Sequence, residues 1–275
     1  MVKIDSLRAL LDDLKQPILG LDAYGVIYNN YGPFDEIYGV FDYCNQQQIP
    51  IVMMTNNATQ NRTIIGKKMQ GFGLPLSEER IVSSGCGLAE ISQLRRMVDG
   101  EHVFVYGYES SVQYVVEAGG VLVDDPMSAE VIVMSASVGS QNHRVYRDVF
   151  LALKANPHVP VICVNPDRYV RNHNGFLSVM GFYAEQMQRQ LDRSDFIWMG
   201  KPYPIFSELV RQRLHVLGFD QHQLVFCDDN PQNVHQMTQD LGCKGVVITQ
   251  TGIREKVNVL LPNADSLFSM PICKI

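Results

Sequence analysis

Short continuous apolar runs alternate along the chain with longer stretches in which apolar residues recur at helical spacing. Residues 18–22, 51–55, 102–106, 131–135, 161–164, 196–199, 224–228 and 245–248 read as strands. Between them, residues 34–47, 60–70, 142–154, 181–191, 205–217 and 233–241 read as helices. Strands that are apolar on both faces and separated by helices belong in parallel sheets covered on each side. Asp99-Gly100 reads as a turn, and from His102 the alternation begins afresh. The expected organisation is a core of residues 1–98 and 193–275, interrupted by a second α/β domain at 99–192.

Composition removes several functional classes. The 275 residues are 46% hydrophobic and 19% charged, an ordinary globular balance with enough material for two domains. A formal charge of -6 argues against nucleic acid as a partner, because a phosphate backbone needs a concentrated basic face. No apolar run approaches the roughly 20 residues of a spanning helix, so no membrane partner is expected. The amphipathic opening MVKIDSLRALLDDLKQ reads as neither a secretory signal nor a transit peptide. Cys44, Cys86, Cys163, Cys227, Cys243 and Cys273 lack CxxC spacing, which suits reduced thiols better than a disulfide frame or zinc. These features predict a cytoplasmic protein.

Ligands of open α/β sheets collect beyond the carboxyl ends of the strands, which directs attention to Asp22, Thr55 and Asp228. In Asp22-Ala23-Tyr24-Gly25, the glycine permits a sharp turn after a buried strand. A carboxylate there can attack phosphorus or carbon, or simply cap a loop. Thr55-Asn56-Asn57 ends the next strand. Its hydroxyl and backbone N–H groups suit a phosphate oxygen, and suit helix capping equally well. Gly200-Lys201-Pro202 holds an ammonium in a loop, able to neutralise an aspartate and a phosphoryl group together. In Cys227-Asp228-Asp229-Asn230, carboxylates beside Asp22 would offer Mg²⁺ the oxygen ligands it prefers. None of the four is diagnostic alone; their order is.

Through LDAYGVIY, MMTNNATQ, IVSSGCGLAE, VYGYESS, VDDPMSAEVIVMS, ICVNPDRYV, MGKPYP and FCDDNPQNV, the chain resembles the haloacid dehalogenase superfamily over nearly its whole length. It most resembles subfamily IIA, the NagD-like and p-nitrophenyl phosphatase-like branch. The resemblance implies an α/β fold: a Rossmann-like core with a parallel sheet, and an inserted αβ cap of the C2 type. It also implies roles. Asp22 would be the nucleophile that forms an aspartyl-phosphate, with Thr55, Asn56 and Asn57 around the phosphoryl group. Lys201 would steady both, and Mg²⁺ would bind Asp22, Asp228 and the backbone carbonyl of Tyr24. Asn165-Pro166-Asp167 resembles the cap segment that faces the leaving group, a place where Asn165 and Asp167 would meet substrate; a plain turn explains the segment as well.

The departures from the family pattern are specific. Tyr24 stands where a general acid/base aspartate is expected, Asn233 where a supporting acid of the metal site is usual, and Cys227 in place of a common glycine. General acid–base catalysis contributes roughly a hundred- to ten-thousand-fold. A phenol of pKa about 10 can donate a proton but is a poor base at neutral pH. Aryl and acyl phosphates should therefore suffer least. DAYG also resembles the first motif of the 2-haloacid dehalogenases, in which this tyrosine is usual and halide leaves without a proton. Those enzymes carry their cap between the nucleophile and the Thr/Ser motif, where this chain has only residues 26–54, and they work without Mg²⁺, whereas Asp228 and Asp229 look like a retained metal site. A third reading is a binding or regulatory protein that keeps the phosphate cradle without turnover. The leading expectation is Mg²⁺-dependent hydrolysis of a small phosphorylated metabolite, and the branch resembled admits a homodimer through the cap.

Other candidates lead nowhere specific. His102, His143, His158, His173, His215, His222 and His235 lack metal-ligand spacing, although His173 lies near the Asn-Pro-Asp segment. Arg168 and Arg171 suit an anionic substrate or a solvated loop. Ser83-Ser84-Gly85 has no G-x-S-x-G context, and neither a G-x-G-x-x-G nor a Walker motif is present.

Overall fold

In a computed structural model the apolar runs form two separate parallel sheets; residues 2–3, 6–172, 175–249 and 267–271 are described. His173 and Cys273, both considered above, lie outside them. The chain divides into two compact units, Met1–Thr55 with Arg62–Val82 and Lys201–Ile275, and Asn56–Asn61 with Ser83–Gly200. The segment 99–192 lies inside the second unit, which also takes 83–98 and 193–200.

The first unit holds a seven-stranded sheet in the order Val2–Lys3, Leu267–Pro271, Lys244–Thr249, Leu224–Asp228, Ile18–Leu21, Ile51–Thr55, Ile81–Ser83. The pairings from Val2–Lys3 through Ile51–Thr55 are all parallel. Ile18–Leu21 is buried at every position, as are Ile51–Thr55 and Leu224–Asp228, which is why their sequences run apolar without alternation. Leu19, Leu21, Met53, Val225 and Cys227 join Ile37, Val40 and Cys44 in one core cluster. The last three are spaced by three and four along helix Asp35–Gln46, a single stripe. From Ile18–Leu21 the chain builds outward one way through Ile51–Thr55, and later the other way through Leu224–Asp228. The topological switch point therefore lies between Ile18–Leu21 and Leu224–Asp228. That is where crevices open in such sheets.

Helix Pro231–Leu241 starts two residues earlier than its apolar pattern suggests. Asn230 caps it by accepting the Gln232 N–H at 3.0 Å, and Pro231 occupies the first turn, where a missing N–H does no harm. Gly242, at φ 65°, closes it. The strand Ile81–Ser83, three residues long, carries too little pattern to be claimed from sequence.

The second unit holds a five-stranded sheet in the order Ile197–Trp198, Val161–Cys163, Val131–Met134, His102–Tyr106, Val121–Leu122, again parallel. Helices Asn142–Ala155 and Met180–Gln190 contribute Val149, Leu153, Met180, Ala184 and Met187 to a core with Ile132, Met134, Val161 and Cys163. An antiparallel hairpin, Tyr169–Asn172 with Gly175–Ser178, follows the Asn-Pro-Asp segment.

Candidate active site

Asp22 follows strand Ile18–Leu21 directly, and its backbone N–H donates to Cys227 O at 2.9 Å, so the ends of the two switch-point strands are tied. Asp228 closes the neighbouring strand. The Lys201 ammonium lies between them: Nζ is 2.7 Å from Asp22 Oδ1 and 2.6 Å from Asp228 Oδ2. It also donates to Met54 O at 2.8 Å, so its three donors have three acceptors. Met54 immediately precedes Thr55, which ends strand Ile51–Thr55 and is buried. Four segments distant in sequence thus converge through one side chain. Lys201 is 2% exposed and Asp228 0%.

A buried lysine ordinarily tends to lose its proton. Burial does draw the Lys201 pKa down, but the Asp22 and Asp228 carboxylates outweigh it and hold the pKa above the usual lysine value. The ammonium stays charged.

Asp229 completes the acidic side. Oxygens of Asp22, Asp228 and Asp229 lie within 4.8 Å of one another. Gly25, at φ 91°, lets the Asp229 carboxylate rest where a Cβ would otherwise stand. Asp228 Oδ1 accepts the Asn230 N–H at 2.8 Å, and Asn233 Nδ2 lies 3.2 Å from each Asp228 oxygen. Asn233 Oδ1 is buried with no hydrogen-bond partner among the described residues, a polar atom facing an unfilled need. Three carboxyl groups with an orphaned amide oxygen beside them suit a small hard cation such as Mg²⁺. Gly25→Ala should lower the unfolding free energy by roughly 1–3 kcal/mol, from backbone strain and the collision with Asp229. Chemical denaturation of that variant measures the loss, and adding Asp229→Ala should return only the part due to collision.

Tyr24 is half-buried. Its ring meets Tyr28 edge-on at 6.2 Å and packs against the core cluster of its unit. Asn56, Asn57, Asn165 and Asp167 gather in the second unit, where Asn56 Nδ2 donates to Asp167 Oδ1 at 2.8 Å. Asn57 Oδ1 accepts from the Thr59 N–H at 3.0 Å and its hydroxyl at 2.6 Å, while Asn165 Oδ1 accepts the Asp167 N–H at 3.3 Å. Arg168 is paired with Glu185 at 3.1 Å. Cys44, Cys163 and Cys243 are free and buried, and burial pushes each thiol up to about 12. Such thiols are inert as nucleophiles.

The structure also gives a place to two serines that the sequence offered only as an unsupported nucleophile motif, and to Tyr114, which sequence reasoning did not single out. Ser84, Ser83 and Tyr114 serve the 56–60 loop: Ser84 Oγ is 3.2 Å from Asn56 O, Ser83 Oγ 2.7 Å from Asn57 O, and the Tyr114 hydroxyl 2.6 Å from Gln60 O. In the sequence the serines stand within IVSSGCGLAE, after the short run Ile81-Val82, and nothing there ties them to the 56–60 loop.

A family profile described as haloacid dehalogenase-like hydrolase matches residues 19–121, a stretch that holds Asp22 and Thr55. Over that stretch the chain is similar to the haloacid dehalogenase-like hydrolases. Acid sugar phosphatase of Staphylococcus aureus (strain MRSA252) is 24% identical to this hydrolase over 210 residues, 76% of this chain and 77% of its own. In fold, the hydrolase matches p-nitrophenyl phosphatase from Archaeoglobus fulgidus at TM-score 0.76 and 21% identity, over 94% of this chain and 98% of that one. NagD from the E. coli K-12 strain matches at TM-score 0.75 and 17% identity, over 95% and 99%. The haloacid dehalogenase fold expected from the motifs is thus present. Among the described residues, no helix is long and apolar enough to cross a membrane.

Proposed function

We propose that this hydrolase cleaves small phosphate esters through a covalent intermediate on Asp22. The observation that carries the reading is the buried Lys201 ammonium shared by the Asp22 and Asp228 carboxylates at the switch point. Relatives named as phosphatases support it. An Asp22 oxygen attacks phosphorus as the ester P–O bond breaks, and the departing oxygen takes a proton from water or the Tyr24 phenol. Water then attacks phosphorus, releasing inorganic phosphate and restoring the carboxylate. Lys201 holds Asp22 in place and offsets charge on the transferring group, which is most of what phosphoryl transfer asks of a protein. Thr55 and the 56–57 loop would hold the phosphoryl oxygens.

Asp22, Asp228 and Asp229, with the Tyr24 carbonyl, are the residues that would hold Mg²⁺. When bound, the ion would supply positive charge to the phosphoryl oxygens. In this reading the inserted segment at 99–192 is the cap that selects the leaving group.

A panel of alkyl phosphates, aryl phosphates and 2-haloacids, assayed with Mg²⁺ and with chelator, tests the proposal. Metal-dependent phosphate release, faster for aryl than for alkyl esters, is expected. Halide release in chelator would hand the site to dehalogenation, and phosphate binding without turnover would make it a sensor. Tyr24→Asp should raise alkyl phosphate turnover by up to roughly a hundredfold, and aryl turnover less, because a carboxyl restores the missing acid/base. An equal or lower rate would show that the tyrosine does more than mark a lost acid.

A further inference from the structure

The chain passes between the two units beside two residues of the site: Asn56 follows Thr55, and Gly200 precedes Lys201. Within the second unit these two residues are gripped by one loop. Asp167 Oδ1 accepts from Asn56 Nδ2 at 2.8 Å. Gly200, at φ 137°, has Pro166 against it so closely that a Cβ would lie 2.5 Å from Pro166 Cδ and 2.8 Å from Asn56 Oδ1. From the other side, the Gly181 N–H donates to Asp167 O at 2.9 Å, and a Cβ on Gly181 would lie 2.6 Å from that oxygen. Glycines on both sides allow the approach. The loop has little room to move.

Asn56 is held at its backbone as well. Ser84 Oγ lies 3.2 Å from Asn56 O and also bonds Val164 O, at the start of the same loop. Ser83 takes the Asn57 carbonyl at 2.7 Å. In a trans peptide, C=O and the following N–H point in opposite directions. Carbonyls drawn to Ser84 and Ser83 therefore turn the N–H groups of Asn57 and Ala58 the other way, as a loop receiving an anion requires.

We infer that Asp167 is a positioning residue: with Ser84 it locks Asn56, so that the Asn57 and Ala58 amides are preset for the phosphoryl oxygens. This rests on the phosphatase reading above, and it gives Asp167 a different task from contacting the leaving group. Loss of the lock is felt by every substrate alike, and by inorganic phosphate, which has no leaving group.

The test uses the full chain with Asp167→Ala, Asp167→Asn and Ser84→Ala. Three quantities are measured: affinity for inorganic phosphate with Mg²⁺, kcat/KM across the ester panel, and amide hydrogen exchange of residues 56–61. Asp167→Ala should weaken phosphate binding about tenfold and lower kcat/KM by the same factor on every ester, the effect of one charge-assisted hydrogen bond. Exchange in 56–61 should quicken. Asp167→Asn keeps an oxygen for Asn56 and should recover most of each loss, with Ser84→Ala a milder copy of Asp167→Ala. If Asp167→Ala alters the ranking of esters and leaves phosphate affinity and exchange unmoved, Asp167 meets the leaving group and the inference fails. It fails also if the asparagine variant is no better than the alanine one. Should Asp167→Ala not fold, Ser84→Ala carries the same comparison. If wild type neither binds phosphate nor releases it, the phosphatase reading is lost. The lock is then judged on exchange alone, and unchanged exchange overturns it.

Discussion

Lys201→Met should lower the unfolding free energy by about 3–5 kcal/mol, because it strands two buried carboxylates whose compensating charge is gone. The pair at issue is Asp22 and Asp228, both within 2.7 Å of Nζ and both largely out of solvent. Denaturant titration reads the loss. Turnover should fall by roughly 10²–10³-fold as well, since preorganised positive charge is removed from the reacting group. Adding Asp228→Asn should return part of the stability, and a double-mutant cycle measures that coupling. The lysine pKa is raised in the folded protein above its ordinary value of 10.5. A raised pKa means the contribution is complete below the unfolded value and lost only as pH climbs through the folded one. The gap between wild type and variant should therefore not narrow through the neutral range on the lysine's account. A gap that vanished by neutral pH would mean Lys201 is not held as an ammonium.

The second large effect is Asp22→Asn. Without a nucleophilic oxygen anion no covalent intermediate forms, and turnover should drop by roughly 10⁴-fold or more, the scale seen when a nucleophile is removed. Stability should move far less than in Lys201→Met. An asparagine oxygen still accepts from Nζ, Asp228 still balances the ammonium, and Asp22 is the more exposed carboxylate at 9%. Acid-quenched wild type incubated with substrate should carry phosphate on Asp22, visible by mass spectrometry and missing in the variant. Full activity in Asp22→Asn would remove the mechanism at its root. The contrast between the two variants is itself informative: one group mainly does chemistry, the other holds the site together and does chemistry.

Much of this was legible along the chain, for a local reason. Strands Ile18–Leu21 and Leu224–Asp228 are buried on both faces, so each must be apolar at every position, and the polar residue that ends each run stands out. Asp22, Thr55 and Asp228 stand out along the chain for that reason. Other features left weaker marks. Ile81–Ser83 and Val121–Leu122 are too short for a period to register. The start of helix Pro231–Leu241 is set by the Asn230 cap and Pro231, not by hydrophobic spacing.

The polypeptide by itself determined the alternation of strands and helices, the order of the acidic, hydroxyl and amino groups at the strand ends, and the substitution of tyrosine at position 24. Each is written in neighbouring residues, because backbone hydrogen bonding and burial act over a few positions. Tertiary structure alone decided which groups meet. The bond from Lys201 to Asp22 spans 179 residues, that from Asn56 to Asp167 spans 111, and Asp229 owes its place to a missing side chain on Gly25. Contacts of that kind depend on the path the whole chain takes, and no spacing along it records them.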